Sequence, residues 1–524
     1  MGKDESEKLK TAQLPGNKRP SLIVNALSNW TPLVVNIIIH LLLTPYLISQ
    51  LGKKGYGIWA LVGSFIGYFG LLRLGVGSGI MRYVPFYIGR NDHKAASEII
   101  NTGLSMFLLA GLVIFSVSML LAEPIARFYK AGPELAALVR ILGLAAAIEC
   151  PMRIFGAGLR AQEKWVAANF ADIVGGVMQA LGLAGCIYLG YGLVEMGYVT
   201  LATTAFSLIL MTVIFIKLSP AIHLQVSMVR LSHVPELTVF GLFTTVITLA
   251  YSLSLQSHKL IIGKLISLEA VAVYAVAAPL VDRVRRIVWA PFQVAWPRFA
   301  LLDGENNHRE VSSLFYKATR YSNILSSGTI LLILVAGPSF IRLWVGEGFE
   351  AAYPVLTILG IGCLIETSLY ANSSLLGGTG RQGTQALFAG IEGVLGLTLS
   401  ILLGMKMGLA GVALGFTVSV ILIRGLVATW YACRILHISI LQYFAKCVLR
   451  PWLIMSLLAI LTHQAGILEH IDSWSSFAIL AITIGCLYTL LAFVIAMNDE
   501  EKKTMLHIMR KLFRRIRILT GVEQ

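Results

Sequence analysis

The run from Val271 to Pro297 is apolar and long enough to cross a bilayer, yet Asp282, Arg283, Arg285 and Arg286 stand at its middle. At about 100° per residue these four fall on one half of a helix, while Leu280, Val281, Val284, Ile287 and Val288 take the other half. A charge left against lipid at the bilayer centre costs from about 2.5 to well over 10 kcal/mol. A stretch with one acid and three arginines must therefore face water, partner helices or an anion from outside the chain. A lone membrane anchor is excluded, and a bundle around this run is required.

The rest of the chain supplies such a bundle. Its mean hydropathy is +0.77. Its charged fraction is 13%, against about 25% in soluble domains. These values describe an all-α integral membrane protein, with about fourteen transmembrane helices of some 20 residues each. Residues 1–20 form a polar tail without a signal-peptide core, so the first span is expected to be retained. Spans one to six occupy 21–218, a connection occupies 219–234, and spans seven to twelve occupy 235–435. Two more spans lie within 436–498, and 499–524 is a basic amphipathic tail. That tail suits an anionic lipid surface, or is simply a basic flank of the last span.

An internal repeat supports this division. Ile141-Leu142-Gly143 and Ile148-Glu149 return as Ile358-Leu359-Gly360 and Ile365-Glu366, with one offset for both. A short amphipathic piece precedes each, Glu123–Tyr129 and Pro338–Trp344. Six spans per unit imply two parallel, pseudo-symmetric six-helix lobes, with the last two helices as an appendage.

The net charge of +15 concentrates in the tails and in alternate loops, such as Arg90, Lys94, Arg160, Lys164, Arg309 and Lys317. By the positive-inside rule both termini lie in the cytoplasm and the protein is a multi-pass protein of the cell (inner) membrane. Basicity so placed needs no nucleic acid. The six cysteines (Cys150, Cys186, Cys363, Cys433, Cys447, Cys486) lie in apolar segments without a CxxC pair and read as small buried hydrophobes. No nucleophile elbow, kinase signature or zinc spacing is present in the sequence, so no enzyme and no metal site is expected.

Leu51-Gly52-Lys53-Lys54-Gly55-Tyr56-Gly57-Ile58-Trp59 is followed by a glycine-rich span from Gly67 to Val84. This pattern, echoed by Ile261 to Ala277, resembles the oligosaccharide flippases (Wzx and polysaccharide-transporter type) of the multidrug/oligosaccharidyl-lipid/polysaccharide (MOP) exporter superfamily. The resemblance covers most of 21–435. It departs at His258-Lys259, where members often carry Asp or Asn, and in having fourteen spans where many have twelve. It implies a MATE-like fold, a cationic central cavity and alternating access between inward- and outward-open states. The implied cargo is a polyprenyl-pyrophosphate-linked glycan moved from the cytoplasmic to the outer leaflet for bacterial cell-surface polysaccharide. Partners implied are the bilayer, a polysaccharide polymerase and glycosyltransferases, with proton or sodium coupling and no cofactor.

Guanidinium forks bind phosphate oxygens in bidentate fashion. The candidate substrate-binding residues are Arg285 and Arg286 first, then Arg283, Arg73, Arg424 and Lys259. A structural ion-pair cluster is the competing reading, and Asp282 can pair with Arg286 at i,i+4. The candidate coupling acids are Glu366, Glu149, Glu392, Asp172 and Asp282. Glu149 has Arg153 four residues on, beside Pro151, whereas Glu366 has only Tyr370 at that spacing and is expected to lack a partner. His40 reads as a packing residue. Two rivals remain. A drug or cation antiporter of the same superfamily should carry an acid in its first span, and 21–50 has none. A membrane glycosyltransferase or polymerase should carry an acidic pair in a large first outer loop, where this chain has only Gly52-Lys53-Lys54-Gly55.

Overall fold

The computed structural model describes residues 22–69, 76–289, 292, 295–466, 471–503 and 505–506, and every regular element among them is helical. The amino-terminal half carries α1 (Leu22–Phe69), α2 (Val76–Gly89), α3 (His93–Phe128), α4 (Pro133–Ala161), α5 (Trp165–Tyr188) and α6 (Leu193–Leu218). The carboxy-terminal half carries α7 (His233–Leu265), α8 (Leu268–Trp289), α9 (Ala295–Gly304), α10 (His308–Val345), α11 (Ala352–Ser368), α12 (Tyr370–Gly378) and α13 (Gln382–Val420). A π-helical segment, Ile421–Ala428, then leads into α14 (Thr429–Ile435), α15 (Ile440–Tyr443), α16 (Arg450–Gln464) and α17 (Trp474–Leu491). Ten helical stretches among the described residues are long and apolar enough to cross a membrane. The long apolar sequences become helices because a bilayer offers backbone N–H and C=O groups no partners but each other.

Two of these stretches hold two expected spans each, joined without a loop. In α1 the chain turns at Gly52, with φ 66°, and in α13 at Gly408, with φ 62°. Both angles lie in the left-handed region, which glycine enters without a Cβ penalty. The amphipathic pieces expected as separate elements are instead the continuous ends of α3 and α10. Pro124 and Pro338 each remove one ladder bond there, and the helix runs on.

The expected tenth span breaks at Leu369 into α11 and α12. The cause lies on α10: Ser322 Oγ and Asn323 Nδ2 donate to the Ser368 carbonyl at 2.9 and 3.1 Å, replacing a ladder donor. Of the expected second span, the part at 70–75 lies outside the described residues.

The two motif turns pack on one another. Gly57 on α1 sits so close to the start of α8 that a Cβ there would stand 1.9 Å from the Leu268 carbonyl oxygen. The glycine pattern thus brings α1 against α8, and α8 against α11, which packs in turn on α13. The charged middle of α8 is thereby enclosed.

Candidate functional site

The charged groups of α8, α11, α13 and the π segment form one alternating chain. Asp282 Oδ2 accepts from Arg286 Nε at 2.9 Å, and its Oδ1 accepts from Arg285 Nη1 at 3.0 Å. Arg285 Nε donates to Glu366 Oε2 at 2.8 Å. The other oxygen, Oε1, accepts from Arg424 Nη1 at 2.8 Å, and Arg424 Nε donates to Glu392 Oε2 at 2.7 Å. Three arginines thus face three carboxylates, and the chain is neutral as a whole. It runs from an exposed end, where the Arg286 side chain is 63% accessible, to a buried one at Glu392. Burying such ions is tolerable only when each lone pair and N–H finds a partner.

Arg424 owes its aim to the π segment. A π turn inserts one residue and rotates the helix face. The displaced ladder shows as Thr429 Oγ1 donating to the Arg424 carbonyl at 2.9 Å, five residues back.

Arg283 is left out of the chain. Arg285 on α8 turns to Glu366 of the carboxy-terminal half, whereas Arg283, within electrostatic reach of Asp282 and Arg286, also reaches Tyr56 and His40 on α1. It is half-buried, and its Nη1 is buried with no hydrogen-bond partner among the described residues. An unsatisfied charged donor costs at least about 1–3 kcal/mol. The site therefore carries one guanidinium beyond what its acids neutralise, at the seam between α1 and α8.

The other candidates fall elsewhere. Arg73 lies outside the described residues. Lys259 is half-buried on α7, within electrostatic reach of Asp282, and makes no ion pair among the described residues. Glu149 pairs with Arg153 on α4, and Asp172 of α5 with Arg160. The expectation that Glu366 lacks a partner is overturned. Its two arginines come from other helices, where i,i+4 spacing cannot reveal them. His40 is exposed rather than packed, and Cys486 is exposed on α17 while the other five cysteines are buried.

Several relations gave no signal in the sequence. Trp289 Nε1 donates to the Tyr370 hydroxyl beside the charged chain. Arg320 on α10 donates to Glu501 Oε2 at 2.7 Å, with side chains only 5% and 3% accessible. Arg320 Nε also donates to the Lys446 carbonyl at 3.1 Å. An acid in a basic tail carries no motif that marks it as buried.

A family profile described as "Polysaccharide biosynthesis protein" matches residues 50–354. A Shigella flexneri protein named "Putative O-antigen transporter" is 21% identical over 424 residues, spanning 79% of this chain and 98% of that protein. Two solved structures share the fold at 16% identity. An inward-facing multidrug resistance MATE family transporter of the MOP superfamily superposes with a TM-score of 0.69, over 76% of this chain and 94% of its own. The lipid II flippase MurJ, in an inward closed conformation, superposes with a TM-score of 0.65, over 90% and 98%.

Proposed function

We propose, from the premise that this chain belongs to the polysaccharide biosynthesis protein family, that it is a flippase for a polyprenyl-pyrophosphate-linked glycan. It moves the glycan from the cytoplasmic to the outer leaflet by alternating access, for cell-surface polysaccharide. The observation that carries the reading is Arg283: a guanidinium at membrane depth that makes no ion pair among the described residues, its adjacent Asp282 being bonded to Arg285 and Arg286, and whose buried Nη1 has no hydrogen-bond partner among them. A diphosphate supplies the missing charge and the missing acceptors together. The names of the Shigella relative and of MurJ support the same class of cargo.

The roles of the candidates then divide. Arg283, with the exposed Arg286 and Lys259, meets the pyrophosphate. Arg285 and Arg424, their N–H groups committed to carboxylates, hold the site in shape. Coupling to a proton or to sodium would act by releasing one of these carboxylates, Glu366 being the one shared by two arginines. Both termini lie in the cytoplasm on this reading. A polymerase and glycosyltransferases act upstream and downstream, and the chain itself performs no bond chemistry.

An antiporter for organic cations is disfavoured, because the first span, residues 21–50, has no acid and the uncompensated charge is positive. The test is reconstitution in liposomes. Polyprenyl-pyrophosphate glycans should cross at a rate above empty vesicles, and tetraphenylphosphonium should not. Transport of the cation alone would reject the reading.

A further inference from the structure

A second polar site lies away from the arginines, inside the amino-terminal half. Helices α1, α4, α5 and α6 line a half-open cavity of about 400 Å³ that both Glu149 and Asp172 face. One water needs only about 10–15 Å³ of such space, so the cavity has room for a small organic ligand.

The polar wall specifies the hydrogen-bonding character of that ligand. Thr200, Thr203 and Ser207 line the cavity on α6. Their hydroxyl protons are already given to the carbonyls of Met196, Val199 and Thr203, at 3.0, 2.9 and 2.8 Å. Only their oxygen lone pairs remain for a ligand. Glu149 and Asp172, when ionised, offer acceptors alone. Gln179 and Thr204, which also line the cavity, can donate as well as accept, so the wall carries more acceptors than donors and suits a ligand rich in O–H or N–H groups.

Charge narrows the class further. Each carboxylate has its own arginine, Arg153 or Arg160, so the wall does not need a cation for neutrality. Trp59, also lining the cavity, offers an indole face against which a C–H face can pack. A pyranose has both features, a ring of hydroxyl donors and an apolar face.

We infer that this cavity is a sugar-binding subsite for neutral or amino-bearing pyranose units, and that it discriminates against uronic acids because the hydroxyls of Thr200, Thr203 and Ser207 offer a carboxylate only lone pairs. The inference rests on the flippase reading and deepens it: diphosphate against the carboxy-terminal half, glycan against the amino-terminal half.

The experiment is saturation-transfer NMR on the full chain in nanodiscs with methyl glucoside, N-acetylglucosamine, glucosamine and glucuronate as probes, in sodium and in choline buffer. The first three should receive saturation and glucuronate should receive little. Trp59→Leu and Thr203→Val, which leave both ion pairs intact, should each weaken binding about fivefold, the scale of one lost aromatic packing contact and one lost hydrogen bond respectively. Arg283→Ala should leave sugar binding unchanged, because that residue belongs to the diphosphate site. Saturation indifferent to Trp59→Leu and Thr203→Val, no saturation of any sugar, or sodium displacing the sugars would overturn the subsite. Loss of diphosphate binding in Arg283→Ala would still stand in each of those cases, so the two readings fail separately.

Discussion

Arg424 Nη1 stands 2.8 Å from Glu366 Oε1, joining a π turn to α11 across 58 residues of sequence. Glu366 is buried and serves Arg285 as well. Its replacement by glutamine leaves three arginines facing two carboxylates, one counter-charge short. Removing one partner of a buried pair costs about 3–5 kcal/mol. Glu366→Gln should therefore unfold at clearly lower temperature in detergent than the parent protein, and an unchanged melting curve would mean that the chain of charges is not structural.

Gly57 admits no side chain, because its Cβ would meet the Leu268 carbonyl oxygen at 1.9 Å. Gly57→Ala must push α1 from α8 and should sharply reduce folded yield by size-exclusion chromatography. Gly185 has nothing within 4 Å of its Cβ position, so Gly185→Ala should be neutral or gain up to about 1 kcal/mol in helix propensity.

The two halves are clasped at the Gly52 turn of α1 and at the end of α3. Lys53 Nζ donates to the Gly348 carbonyl, Lys264 Nζ to the Phe128 carbonyl at 3.0 Å, and Tyr129 Oη to the Leu260 carbonyl at 3.2 Å. The proposed alternating access requires these bonds to break. In Lys53→Ala/Lys264→Ala, spin labels at positions 54 and 347 should report a larger share of long distances. A distribution matching the parent would show that the lysines do not hold this face closed.

The Arg320–Glu501 pair ties the chain after α17 back to α10. Glu501→Gln should raise the rate of limited proteolysis after residue 497, and the swap Arg320→Glu/Glu501→Arg should recover part of the protection. Equal cleavage in all three proteins would make the pair incidental.

What the sequence made legible is what local spacing encodes. The apolar spans, the i,i+4 pairs Asp282–Arg286 and Glu149–Arg153, and the enclosure of a charged α8 follow from chain periodicity and the cost of charge in hydrocarbon. What stayed hidden depends on distant residues. The partners of Glu366 lie 81 and 58 residues away. The break at Leu369 is imposed by Ser322 and Asn323, and the acceptor-rich wall on α6 depends on where each hydroxyl sends its proton. The resemblance singled out 51–59, but only packing shows that Gly57 must admit the Leu268 carbonyl.

The most direct measurement is the affinity of a sugar-free polyprenyl pyrophosphate for the protein in nanodiscs, compared with Arg283→Ala and Arg283→Lys. One charge-assisted bond is worth about 1.5–3 kcal/mol, so alanine should weaken binding about 10- to 100-fold, with lysine recovering part of it. Equal affinity for all three proteins would contradict the claim that Arg283 receives the diphosphate.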